Sequence, residues 1–487
     1  MSTVKTIAKN TIVLLIGQVL SFIVGLFCTI YILRSLGPAG FGVLSFALAF
    51  TGIFAVFGDI GLQQLSVREI AKEKSLASKY LANISLLKIL LAIVTFVLIA
   101  LAINLMGYPR DTVMVVYLVG LSVISAAFAS VYFSIFQAFE KMEYQSVGQL
   151  LSVAVILGGV FISIKCNFNV VDFASLYLLA SIIVLIYCLA VMRIKFSALI
   201  KGGAGHLEFD RSFWLQTIRQ ALPFGLIAFL VGGYLGIDSV ILSVVKGNEA
   251  VGWYNAAYKV VLALVFIPAS FFAAVFPVMS KLYKSSLESL KLVYERSLKY
   301  MLILSIPIGV GITMLASRIV LQVFGIEYEA SAIALQILAW NTVLIYTNSA
   351  FDFLLYSIDR QTTVAKIMII TVIVNVILNI ILIPAYSYVG ASIAAVLSNL
   401  AALLMLVFTL ANTDYKLRLN SLKNIAKALV SCLAMLVFIR FASGINLFLI
   451  VLISALIYFL VLYIVRGLDK QDVAILKNLF TRESIAT

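Results

Sequence analysis

The feature that most constrains this chain is the recurrence, from one end to the other, of apolar runs about 20 residues long separated by short polar breaks. A hydrocarbon core about 30 Å thick needs about 20 apolar residues per helix, and backbone groups that meet no water there must bond to one another. Such runs therefore read as membrane-spanning helices. With 63% apolar and 11% charged residues, the composition lies outside the balance of soluble domains. Segmentation gives about fourteen spans, over 11–33, 41–64, 82–106, 113–138, 146–165, 172–195, 217–245, 250–277, 297–317, 331–356, 363–384, 388–410, 424–442 and 446–466. The first follows Lys5 and Lys9 in the manner of a signal sequence. It is too long for an h-region and lacks an A-x-A site, so it is read as a mature helix. The expected fold class is an all-α integral membrane protein.

Charge supports the count, because cytoplasmic loops collect Lys and Arg. With the N-terminus inside, 27 of the 35 cations fall on the cytoplasmic side and six on the outer side: Arg34, Arg110, Lys165, Lys246, Arg318 and Arg440. Lys88 and Lys259 lie within spans. A span missed early would swap the side of every later loop, so both termini are expected in the cytoplasm. The same distribution accounts for the net charge of +14, since topogenic loops favour an anionic inner leaflet. Nucleic acid is not an expected partner.

An internal repeat runs through the chain. "LGPAGFGVLSFALAF" (36–50) follows the first span and "NEAVGWYNAAYKVVL" (248–262) the seventh, and a shift of 212 superposes Gly40 on Gly252, Phe41 on Trp253, Gly42 on Tyr254 and Phe46 on Tyr258. At a shift of 219, Glu140 and Lys141 meet Asp359 and Arg360. Six spans per copy is an even number, so the copies share one orientation: a parallel repeat about an axis along the membrane normal, with the transported species expected between the halves. The expected domains are an N-terminal lobe (1–200), a cytoplasmic linker (201–216), a C-terminal lobe (217–410), and two additional spans with a cytoplasmic tail (411–487).

The hairpin "YLGIDSVILSVVKGNEAVGWYNAAYKVV" (234–261), with "LGPAGFGVLSFA" (36–47) and "FGDIGLQQLSVREIA" (57–71), resembles the polysaccharide flippases, the Wzx-type exporters of the multidrug/oligosaccharidyl-lipid/polysaccharide superfamily. The resemblance covers the whole chain in span count, loop spacing and six-plus-six organisation. It implies a cell-membrane transporter that flips a polyprenyl-diphosphate oligosaccharide from the cytoplasmic to the outer leaflet by alternating access of two lobes, for export of surface polysaccharide. The alternative within the same superfamily is a cation-coupled multidrug exporter, a class with twelve spans and an acidic first-lobe cavity; this first lobe is poor in deep carboxylates.

Five ionisable residues fall within spans: Asp59, Lys88, Asp238, Lys259 and Asp352. An ammonium at bilayer depth costs roughly 2.5–3.5 kcal/mol on insertion scales, so each marks a candidate substrate or ion pathway. At about 1.5 Å per residue, Asp238 lies ~10 Å and Lys259 ~13 Å from the outer ends of adjacent antiparallel spans. They can pair as a structural salt bridge, or the lysine can snorkel. Alternatively, Lys259 faces a water-filled cavity and attracts the diphosphate while Asp238 binds a coupling cation. Asp59, Lys88 and Asp352 lie nearer the cytoplasmic ends, at an inward gate or in a structural role. Asn341, Asn348, Asn375 and Asn379 either line a sugar-compatible cavity or bond between helices. The stripes Gly17, Ser21, Gly25 and Gly232, Gly236 suit close helix approach, and Pro223, Pro268, Pro277 and Pro307 are candidate bends.

Enzyme chemistry finds little footing. His206 is the only histidine, no Walker A or phosphate-cradling Gly-rich motif occurs, and Cys28, Cys166, Cys188 and Cys432 are scattered without C-x-x-C spacing. No catalytic residue, metal or cofactor is expected, and an H+ or Na+ gradient or consumption of product drives transport. The expected partners are the lipid-linked substrate, membrane lipids and polysaccharide assembly proteins, with the chain acting as a monomer.

Overall fold

The computed structural model describes residues 3–197, 211–411, 413–416, 419–442 and 444–467, and among them there is no strand. The long helices are α1 (Thr3–Asp59), α2 (Leu62–Lys72), α3 (Ala77–Leu105), α4 (Arg110–Ala138), α5 (Met142–Cys166), α6 (Val170–Lys195), α7 (Arg211–Lys246), α8 (Asn248–Ser285), α9 (Leu287–Ile319), α10 (Ser331–Ser357), α11 (Gln361–Leu410), α12 (Leu419–Phe441) and α13 (Leu447–Ile464). Ten helical stretches among the described residues are long and apolar enough to cross a membrane. His206 and most of the expected linker lie outside the described residues.

Two of these helices are broken where the hydropathy pattern placed a boundary between spans. In α1 the break is at Gly37, with φ 64° and ψ 177°, immediately before Pro38. A positive φ is open to glycine at no steric cost, and the following proline has no N–H to continue the ladder. In α11 the break is at Ser387, with φ 52°, three residues after Pro384. By contrast α7, α8 and α9 continue through Pro223, Pro268, Pro277 and Pro307. The main chain thus turns at Gly37 and Ser387, and the four prolines that were candidate bends sit inside continuous helices.

By compactness the chain forms two units, one of residues 1–255 with 383–388, the other of 256–382 with 389–487. α7 falls within the first of these units, where its small residues lie against the second half of α1. A Cβ added at Gly236 would sit 2.9 Å from the carbonyl oxygen of Ala49, and one at Gly232 would sit 3.4 Å from that of Gly52. The stripe on α7 therefore lets its backbone approach the second half of α1. On the first half, Gly17 packs against the side chain of Ser146 of α5, while Gly25 faces open space. The approach is closest where the repeated motifs meet: a Cβ on Gly42 would run into the carbonyl oxygen of Asn248, and one on Gly252 into that of Pro38.

The second unit is cemented by aromatic side chains. Phe272 of α8 stacks on Phe353 of α10 at 4.7 Å between centroids. The Tyr346 hydroxyl donates to Leu264 O at 2.8 Å, and the Tyr458 hydroxyl of α13 donates to Ile303 O of α9 at 2.8 Å. Cys432, Met435 and Ile439 of α12 and Ile450 and Leu462 of α13 lie in the same buried cluster as Met301 and Leu302 of α9. α12 and α13 are thus part of the core of this unit.

The turns at the 219-residue shift close alike. Glu140 and Asp359 both have φ 59°. Lys141 N donates to Phe136 O and Arg360 N to Leu355 O, each at 2.8 Å, the six-to-one bond of a Schellman-type helix end.

Gly252→Ala should destabilise the protein by about 1–3 kcal/mol, because the new methyl meets backbone that cannot rotate away. Gly233→Ala, with nothing within 4 Å of its added Cβ, should leave stability unchanged or slightly raised. Thermal unfolding of the two purified variants in detergent measures the difference.

Candidate functional site

The motif "FGDIG" builds a corner. α1 ends at Asp59, the chain turns through Ile60 (φ 49°) and Gly61 (φ 80°), and α2 begins at Leu62. A Cβ on Gly61 would sit 2.6 Å from both Ala221 O and Gly225 N of α7, so this turn presses on the next helix and requires glycine. Asp59 Oδ1 accepts from Lys88 Nζ at 2.6 Å, and the same ammonium donates to Ala127 O and Ser130 Oγ at 2.6 Å each. Three protons meet three acceptors. Lys88 is 1% exposed and Asp59 26%, so the ammonium depends wholly on these contacts while the carboxylate keeps one flank open. The structure brings together two residues that the sequence had treated separately. The signal was available, since both lie near the ends of adjacent apolar segments that meet at one polar break in the sequence.

A second polar seam joins the end of α7 to the start of α8 within the same unit. Asp238, buried, accepts from the Tyr254 hydroxyl at 2.7 Å. Asn255 Nδ2 donates to Ser239 Oγ at 2.9 Å, and Ser243 Oγ donates to Asn248 Oδ1 at 2.6 Å while lying 2.8 Å from the Tyr108 hydroxyl. The G-W-Y-N stretch therefore has a role for each residue: Gly252 for backbone approach, Trp253 edge-on to Tyr388 at 5.4 Å, Tyr254 for Asp238 and Asn255 for Ser239. Tyr254 and Asn255 were not among the sequence candidates, because an uncharged hydroxyl or amide in an apolar helix carries no charge to mark it.

Lys259 and Asp352 belong to the second unit, on α8 and α10, and both are half-buried. Within that unit, among the described residues, neither has a hydrogen-bond or ion-pair partner. They are spanning-segment charges that their own unit leaves uncompensated. The asparagines form buried polar pairs, two of them between α10 and α11 and one along α11. Asn379 Nδ2 donates to Asn375 Oδ1 at 3.1 Å, Asn399 Nδ2 to Asn341 Oδ1 at 2.9 Å, and Asn348 Nδ2 to Asn399 O at 3.1 Å. Asn341, Asn375 and Asn379 are essentially inaccessible; Asn341 accepts from α11, whereas Asn375 and Asn379 bond to each other one turn apart along α11. Asn399 takes part in both pairs between the helices and was not foreseen.

Residues 7–283, more than half of the chain, match the family model described as "Polysaccharide biosynthesis protein". A probable low-salt glycan biosynthesis flippase of Haloferax volcanii is 24% identical over 400 residues, covering 80% of this chain and 81% of that protein. A putative O-antigen transporter of Escherichia coli is 22% identical over 416 residues, covering 83% of this chain and 96% of its own. The structure of the lipid II flippase MurJ in an inward closed conformation superposes with a TM-score of 0.76 and 18% identity, covering 95% of this chain and all of that one. That likeness is one of fold.

Removing either end of the Asp59–Lys88 pair should cost unequal amounts. Asp59→Ala strands an ammonium that is 1% exposed and should destabilise by about 3–5 kcal/mol. Lys88→Met leaves a carboxylate that still reaches solvent and should cost less, and the double variant should recover much of the loss. Thermal unfolding of the three proteins in one detergent tests the order.

Proposed function

Because the chain belongs to the polysaccharide biosynthesis protein family, we propose that it is a flippase carrying a polyprenyl-diphosphate oligosaccharide from the cytoplasmic to the outer leaflet, for export of cell-surface polysaccharide. The match over residues 7–283 carries this reading, and the flippase and O-antigen transporter names of relatives aligned over about four-fifths of the chain support it. It is a transporter and not an enzyme.

The remaining parts of the reading follow from charge and repetition. The chain crosses the cell membrane fourteen times with both termini in the cytoplasm, as the 27-to-6 division of cations favours. Two six-span lobes related by the parallel repeat alternate access around a central path, in the manner of repeat-built transporters. Lys259 lines that path and attracts the diphosphate; the supporting observation is that its own unit leaves the ammonium without a partner. A cation there supplies to the anionic head group what lipid cannot. Asp238 binds the coupling ion, H+ or Na+, with Tyr254 holding the carboxylate in place. Asp352 contributes to the inward entrance, while the mutual pairing of Asp59 and Lys88 favours a positioning role at the α1–α2 corner. The protein acts as a monomer alongside the polysaccharide assembly machinery.

Transport of a fluorescent lipid-linked oligosaccharide in proteoliposomes tests this. Lys259→Ala and Asp238→Ala should each lower flipping at least tenfold with unfolding temperature unchanged, and the double variant should not recover it. Singles that lose stability, with a double that restores both stability and flipping, would assign the two residues to a structural pair and remove them from the path.

A further inference from the structure

At one end of the second unit a cavity of about 590 Å³ opens among segments where helices finish or begin. Its wall takes Tyr283 from the end of α8, Lys291 from the first turns of α9, Arg360 from the turn after α10, and Asp414, Tyr415 and Lys416 from the segment following α11. The Schellman-type end at Asp359 and the bond from Arg360 N to Leu355 O fix where Arg360 leaves its helix. Lys416 N donates to Thr413 O at 3.2 Å and Tyr415 N to Thr413 Oγ1 at 3.3 Å, so the last wall is a hydrogen-bonded turn.

Three cations therefore converge on one hollow from three separate segments, against a single carboxylate. Among the described residues, none of Lys291, Arg360 and Lys416 has a carboxylate within 4 Å, and Asp414 is not ion-paired to any of them. Here a net charge of two remains directed at the cavity. Two phenols add donors: burial, with Tyr283 and Asp414 nearby, pushes the Tyr415 hydroxyl above its ordinary value, which keeps its proton in place. Guanidinium, ammonium and phenol donors around a space of this size suit the oxygens of a phosphate. The position at the helix ends, on the side where this chain gathers its lysines and arginines, suits a phosphate held at the membrane surface.

We propose that this cavity binds the phosphate of a lipid head group from the adjoining leaflet. The inference rests on the membrane reading of the helices and not on transport, and binding alone reads it out. Two lipid chemistries carry such a phosphate, a glycerophospholipid diester and an isoprenoid diphosphate, and the probes separate them.

The purified full-length protein in a non-ionic detergent is titrated with dihexanoylphosphatidylglycerol, geranyl diphosphate, inorganic diphosphate and, as a zwitterionic comparison, dihexanoylphosphatidylcholine. Wild type should bind at least one of the two lipid anions more tightly than inorganic diphosphate or phosphatidylcholine. The variant K291Q/R360Q/K416Q should weaken that binding about a hundredfold, from roughly fivefold per cation. Lys281→Gln with Lys284→Gln removes two exposed cations from the same end outside the cavity, and should change binding by less than about threefold, as screened charges do. Preference for the phosphatidylglycerol assigns a resident phospholipid, and preference for geranyl diphosphate assigns the isoprenoid carrier. Unchanged binding in the triple variant overturns the proposal, as does inorganic diphosphate binding as tightly as either lipid. Should the triple variant fail to fold, Lys291→Gln, Arg360→Gln and Lys416→Gln are measured singly, each with an expected loss of about fivefold; three unchanged singles reject the site.

Discussion

A charge or a backbone group inside hydrocarbon has to find its partner within the protein, since no water is there to take its place. Nearly everything distinctive in this chain answers to that constraint. It explains why all regular structure among the described residues is helical, and why Lys88 is met by three acceptors at 2.6 Å. It also singles out the half-buried Lys259 and Asp352, for which no partner occurs within their own unit among the described residues.

Close backbone approach is the second organising element, and it grows out of the first. In lipid, helices gain little from hiding apolar faces, so small residues that let backbones touch carry much of the association. Gly42 and Gly252 place the two repeated motifs in direct contact, and Gly232 and Gly236 bring α7 onto the second half of α1. The corner at Ile60 and Gly61 then sets Asp59 against Lys88. Motifs that carry the family resemblance thus have a steric role before any role in transport.

The candidate site was legible in part. Depth along a helix can be counted from sequence, which is why five ionisable residues stood out. Which of them meet cannot be counted. The reasoning that set Asp238 beside Lys259 applies equally to Asp59 and Lys88, and the packing of α1, α3 and α4 is what brought the latter two together with Ala127 and Ser130. Tyr254 passed unnoticed because a hydroxyl in an apolar helix carries no charge to flag it, although it is the group that donates to Asp238. The asparagines were recognised as polar groups in need of partners, and Asn399, which joins Asn341 to Asn348, was not.

By itself the sequence determined that this is a multi-pass helical membrane protein and where polar breaks and cation-rich loops fall along the chain. These are local properties: segment length against bilayer thickness, and charge against loop. Even the breaks at Gly37 and Ser387 fall where hydropathy changes. Tertiary structure alone decided the partners. It set the small residues of α7 against the second half of α1, built α12 and α13 into the core of the second unit, and gathered Lys291, Arg360 and Lys416 around one cavity. Contacts of this kind join residues tens to over a hundred positions apart, and they depend on which helix faces meet, a choice that apolar periodicity in lipid leaves open because every face of a spanning helix is apolar.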